Sequence, residues 1–282
     1  MEANLKKIIF LALMTLSLSS YSQSYLILDN GIVITEDKAG YMYDFGHYAF
    51  PQKITLKGGR YFVEENAIIA TVDDNGLLYR KYEVIPEKVI GKGVNYFLGS
   101  EGELYTVNRS GVVKINQYPE LKLASIFGGN FFAVPQTNET NILDLYVINQ
   151  DGERIKTSNN YFKSTEIVVV GGSYFMTNRG IAYTVSYDGV VTGWPQLRVG
   201  LIAKKGGNYF TDSSGTIFTI AEDGTLKVPV IPVGLKVSLI TKLGSNYFID
   251  INGRLFSVDE NGEIFERSLL DQDLRYARIL SL

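Results

Sequence analysis

Cysteine is absent from the chain, and His47 is its only histidine. The first absence removes disulfides, thiolate metal sites, cysteine nucleophiles and a lipid-attachment thiol. The second leaves zinc centres, catalytic triads and histidine general bases without their usual material, so an enzyme would have to run on carboxylates, lysines or tyrosines. Apolar runs long enough for a membrane helix are missing, and no long window keeps a three-to-four-residue apolar spacing. Net charge is close to balance at −3, which lacks the electrostatic footprint that a phosphate backbone requires. These absences predict no cofactor, no metal, no nucleic-acid partner, no transmembrane segment in the mature chain and no catalysis.

What is present is enough to build a large core: 45% of the 282 residues are apolar and 12% aromatic. Residues 1–23 follow a signal-peptide plan, with Lys6 and Lys7, the apolar run Ile8 to Leu18, then Ser19, Ser20, Ser22 and Gln23. The expected product is an exported bacterial protein, periplasmic or secreted, whose residues 24–282 form a single domain.

That domain is repetitive. Units start at Ser24, Arg60, Asn95, Asn130, Ser173, Asn208 and Asn246, and each start precedes a pair such as Tyr61-Phe62, Tyr96-Phe97, Phe131-Phe132 or Tyr209-Phe210. Seven residues after the start stand Gly31, Ala67, Gly102, Gly180, Gly215 and Gly253; sixteen after it stand Gly40, Gly76, Gly111, Gly189, Gly224 and Gly262. Tight hairpins ask for a positive φ that glycine adopts cheaply. Between the two glycine columns run strand-forming segments such as Leu104-Tyr105-Thr106-Val107 and Ile217-Phe218-Thr219-Ile220. Prolines 51, 86, 119, 195 and 232 mark the links from one unit to the next. The fourth unit alone breaks the spacing, with extra residues around Pro135 to Thr140 that move its glycine to Gly152.

Short antiparallel sheets repeated in series resemble β-propeller repeat proteins across residues 24–282. The resemblance reaches no particular family, since the Gly-His and Trp-Asp marks of WD repeats and the tryptophan docking pattern of quinoprotein blades are missing. The fold class expected is all-β: a seven-bladed propeller of four-stranded antiparallel blades. The tail Leu274 to Ile279 resembles the first strand of an internal unit, and the chain enters its first unit at the second strand. The tail is therefore expected to complete the first blade and close the ring.

Function is less legible. The insertion residues Pro135, Gln136, Thr137, Asn138, Glu139 and Thr140, with Tyr118 and Trp194 from blade links, should share the face opposite the double-glycine turns and form a binding surface. Lys57, Lys92, Lys205 and Lys242, with Lys204, end the strands before the aromatic pairs and are candidates for an anion site at the channel mouth. Asp73-Asp74-Asn75-Gly76 and Asp259-Glu260-Asn261-Gly262 look like calcium loops but lack the distal glutamate, so they read as hairpins. His47 reads as an isolated surface residue. The leading expectation is a non-catalytic binding scaffold for a protein or small-ligand partner. The alternatives are a glycan-binding propeller and, behind it, an enzyme with its site at the central channel.

Overall fold

The computed structural model describes residues 25–28, 30–37, 42–136, 139–157, 162–195, 202–244 and 246–267. The expected signal segment and the closing tail lie outside them. The described residues form seven antiparallel sheets in chain order, and the chain is a seven-bladed β-propeller. The second blade shows the plan: strands Ile54–Lys57, Tyr61–Glu64, Ile68–Val72 and Leu78–Tyr82 pair in sequence order. The first blade shows three strands, Tyr25–Ile27, Ile32–Glu36 and Met42–Tyr48. Among the described residues, no helix is long and apolar enough to cross a membrane.

Antiparallel pairing fixes the two faces of the ring. The first-to-second and third-to-fourth strand turns emerge at one end of each blade; the second-to-third turns and the blade links emerge at the other. Two of the linking prolines, Pro51 and Pro119, open short 3-10 turns at Pro51–Lys53 and Pro119–Leu123, where a missing N–H costs nothing.

The core is divided among the blade interfaces, because successive residues of a strand point to opposite faces of its sheet. In each aromatic pair the first ring packs forward on the next blade and the second packs backward. Tyr25 meets Phe62, Tyr61 meets Phe97, Tyr96 meets Phe132 and Tyr209 meets Phe248, all at 5.3 Å between ring centres. The last interface joins the seventh blade to the first, where Tyr247, Ile249 and Leu255 pack on Leu26, Leu28 and Ile34. The ring is thus closed by packing, whatever the tail adds.

Hydrogen bonds follow the same radial order. The Tyr61 hydroxyl donates to the Tyr96 carbonyl at 2.7 Å, and the Tyr96 hydroxyl donates to the carbonyls of Phe131 at 2.6 Å and Gly128 at 2.9 Å. Thr71 and Thr106 donate to the hairpin carbonyls of Gly111 and Gly152 in the following blades, each at 2.8 Å. Removing one such donor leaves a buried carbonyl short of a partner. Tyr96→Phe is expected to cost roughly 1 to 2 kcal/mol in chemical denaturation, and an unchanged midpoint would mean that the hydroxyl contributes nothing to blade docking.

The fourth blade departs from the four-stranded plan. Its insertion lengthens the third strand to Glu139–Ile148, and the short strand Phe162–Lys163 pairs with it at Ile142 and Leu143. A strand longer than its usual partners exposes an unpaired edge, and the extra strand covers it. Phe162 seats its ring edge-on to Phe175 and Tyr183, each at 4.9 Å.

Candidate ligand cavity

The third-to-fourth strand turns are rigid for a local reason. In the second blade the Asp73 carboxylate accepts the backbone N–H groups of Asn75 and Leu77, each at 2.9 Å. In the seventh, Asp259 accepts those of Asn261 at 2.9 Å and Glu263 at 2.7 Å. These contacts make both calcium-like segments aspartate-capped hairpins. Among the described residues, no group of histidine and carboxylate side chains is placed to hold a metal ion.

At three hairpins, the residue two before the glycine steps onto the neighbouring blade. The Asp74 N–H donates to the Arg109 carbonyl at 2.9 Å, the Arg109 N–H to the Gln150 carbonyl at 2.8 Å, and the Glu222 N–H to the Glu260 carbonyl at 2.8 Å. Asp74, Arg109, Gln150, Tyr187, Glu222 and Glu260 occupy this one position in six blades. Three of these side chains are carboxylates, one is a cation and two are neutral.

Around five of these turns, those of the third to seventh blades, opens a cavity of about 700 Å³. Its walls carry the carboxylates of Asp151, Asp188, Glu222, Asp223 and Glu260 against the two cations Arg109 and Lys227. Arg109 is partly neutralised by Asp151 at 3.3 Å, and Lys227 faces Glu263 at 3.7 Å. The balance of charge offered to a ligand is therefore negative.

Tyr187 and Ala221 are the buried residues of this lining. Burial pushes the Tyr187 hydroxyl well above the usual phenol range; the Arg60 charge opposes that, and Glu222 and Asp74 add to it. Arg60 belongs to the second blade and Tyr187 to the fifth, so the charge acts on the phenol from a separate part of the ring. Arg60 is itself nearly buried and pairs with Asp74 at 2.6 Å. The Gln150 amide donates to the Glu222 carboxylate, holding one wall residue in place. The result is a pocket whose lining combines a protonated phenol with carboxylate oxygens. It can hold amino or guanidino groups by charge-assisted hydrogen bonds.

The residues singled out in the sequence are placed differently. Tyr118 lies under the Arg154 guanidinium, 3.7 Å from its ring centre, and Arg154 pairs with Glu120 at 2.7 Å. The Trp194 indole N–H donates to the Thr184 hydroxyl at 2.9 Å. Pro135 and Gln136 end the strand Phe131–Gln136, and the Gln136 amide donates to Asp144 at 2.7 Å. Glu139 and Thr140 begin the next strand, while Thr137 and Asn138 lie outside the described residues. Tyr118 and Trp194 thus have their polar or π surfaces engaged inside the chain.

Of the lysines, Lys57 and Lys92 come together. Burial holds the amine of each below the usual lysine range, and the Lys92 charge lowers Lys57 further. Lys205 turns to the Val170 carbonyl at 3.4 Å, Lys204 donates to the Ile240 carbonyl, and Lys242 lies in the strand Ile240–Leu243. His47 lies in the strand Met42–Tyr48, with its ring 6.3 Å from that of Phe45.

The cavity escaped the sequence reading because its wall position carries no repeating residue type. The signal that would find it is a polar column of mixed residue types, acidic in three of six blades, beside a nearly fixed glycine column.

No protein-family model matches the chain, and no curated protein resembles it in sequence. Similar solved structures do exist. A streptogramin B lyase aligns over 89% of this chain and 85% of its own, at 14% identity and a TM-score of 0.36. A virginiamycin B lyase from Staphylococcus aureus aligns over 90% of each chain at 15% identity and a TM-score of 0.36. An acylaminoacyl peptidase from Pyrococcus horikoshii aligns over 88% of this chain and 54% of its own, at 12% identity and a TM-score of 0.32. At these identities the likeness concerns the fold alone. It nevertheless corrects one expectation: the sequence reading excluded catalysis, whereas the similar structures include enzymes. A shortage of cysteine and histidine is not a sufficient ground for that exclusion, and the fold decides the question neither way.

Proposed function

We propose that the chain is a ligand-binding propeller whose site is the acidic cavity among the third-to-fourth strand turns of the third to seventh blades. Its ligand is a polar molecule bearing amino or guanidino groups. The observation that carries this reading is the cavity itself: about 700 Å³, with five carboxylates and two cations on its walls, mounted on turns that are hydrogen-bonded from blade to blade. Binding sites concentrate where a rigid scaffold presents loops, and a volume of this size suits a small molecule. In this reading the amino-terminal segment exports the protein, so the cavity meets its ligand outside the cytoplasm.

The test is calorimetric titration with spermidine, arginine and an N-acetylated polyamine, repeated at rising salt. Glu222→Gln combined with Glu260→Gln should weaken spermidine binding at least about tenfold, the loss of roughly 1.4 kcal/mol, and the wild-type affinity should fall with salt. A variant lacking residues 135–140 should bind as the wild type does. If that deletion abolishes binding while the double glutamine variant keeps it, the ligand sits on the opposite face and the reading is wrong.

A further inference from the structure

The third strand of each blade ends on a residue that faces inward and pairs with the start of the fourth. In six blades that residue is aliphatic and buried: Val72, Val107, Ile148, Val185, Ile220 and Val258. In the first blade it is Glu36, only 3% exposed and paired with Met42 as Val72 is with Leu78. A carboxyl thus replaces a methyl-bearing side chain in an otherwise uniform column.

Its location gives the substitution meaning. Glu36 belongs to the seam where the seventh blade packs on the first, close enough to Tyr247 for its charge to act on that phenol. The other six interfaces join blades consecutive in the chain, each pair covalently linked. This seam joins the first blade to the last, and among the described residues side-chain packing holds it.

The charged and titratable groups facing Glu36 among the described residues are Arg267 from the seventh blade, Asp37 from its own chain direction, and Tyr247. Arg267 is shared, since its Nε also donates to the Ser257 hydroxyl at 2.6 Å. Asp37 is held by the Tyr43 hydroxyl at 2.8 Å. Burial pushes the Glu36 carboxyl from 4.5 up to about 8; Arg267 opposes the rise and Asp37 adds to it.

We propose that Glu36 is a pH-operated catch on the seam: neutral, it packs like the aliphatic residues of its column and keeps the ring closed, and on losing its proton it draws water into the seam and loosens the first blade from the seventh. The direction follows from proton linkage. Between about 4.5 and 8 the folded chain holds this proton and the unfolded chain does not, so stability falls as pH rises through that window and levels off above it.

The experiment follows thermal unfolding from pH 5 to 9 for the wild type, Glu36→Gln and Glu36→Val, with hydrogen exchange on segments 25–36 and 247–258, corrected for intrinsic rates. The wild-type midpoint should drop by roughly 5 to 10 °C from pH 5.5 to 8.5. The Glu36→Gln profile should lose that drop, and seam exchange should accelerate at high pH in the wild type alone. Parallel profiles for the wild type and Glu36→Gln, or acceleration spread evenly over all seven interfaces, would overturn the proposal. Should Glu36→Gln not fold, Glu36→Val takes its place; failure of both would show that the charged form closes the seam, the opposite of what is proposed.

Discussion

Gly172→Ala should keep the ring from closing at all. A methyl group built on Gly172 would stand 2.4 Å from both the Cα and the carbonyl oxygen of Gly207 in the next blade. Neither is the end of a flexible side chain, so relief requires two blades to separate. The turns meeting there carry the backbone bond from the Ser173 N–H to the Gly207 carbonyl at 3.0 Å and the one from the Gly129 N–H to the Gly172 carbonyl at 2.6 Å. The expected cost is about 3 kcal/mol or more, read as loss of soluble protein or a collapse of the denaturation midpoint. Gly180→Ala is the control. That glycine sits at φ +73° with nothing within 4 Å of a built methyl, and in the same column Ala67 already adopts φ +61°. Only the intrinsic left-handed penalty of roughly 1 to 2 kcal/mol applies. Equal effects at the two positions would mean that inter-blade contact is not what excludes a side chain at position 172.

The second large effect is expected at Phe97. Its ring is fully buried, stacked on Tyr105 at 4.4 Å within its own blade and met by Tyr61 of the preceding blade at 5.3 Å. Phe97→Ala removes a ring shared by two sheets and leaves a void that neither can fill without moving. A loss of roughly 3 to 5 kcal/mol is expected by chemical denaturation. Phe265→Ala, at a ring 44% exposed on an outer strand, should stay within about 0.5 kcal/mol. If the two variants lose equally, the aromatic pairs are not the blade-to-blade core.

These contrasts show which parts of the molecule could be read in advance. The aromatic pairs were legible because a propeller interface is rebuilt once per repeat, so one packing solution is written repeatedly. Tyr61 and Tyr96 carry the same contact in neighbouring blades. The glycine columns, Gly180 among them, were legible for the same reason, whereas Gly172 stands outside both columns and its constraint comes from the backbone of the neighbouring blade. The extra strand at Phe162–Lys163 was not foreseen, because two residues carry no periodicity and take their place only from the edge that the insertion exposes.

The candidate site was the least legible part. The insertion stood out because it breaks the repeat, and Tyr118 and Trp194 because the sequence places them in blade links on the same face; in the structure Arg154 covers Tyr118 and Thr184 takes the Trp194 N–H. Glu222 and Glu260 looked like ordinary hairpin residues, since local sequence explains a polar residue beside a turn equally well whether it faces solvent or a cavity.

The amino-acid order alone determined the strands, the turns, the number of blades and the radial layering of the core, because each depends on contacts within one repeat or between adjacent repeats. Tertiary structure alone decided what is brought together around the ring: the Arg60 charge within reach of Tyr187, the carboxylates of four turns about one cavity, and Glu36 at the seam of first and last blades. Those encounters depend on curvature accumulated over seven units, and no local window contains that curvature.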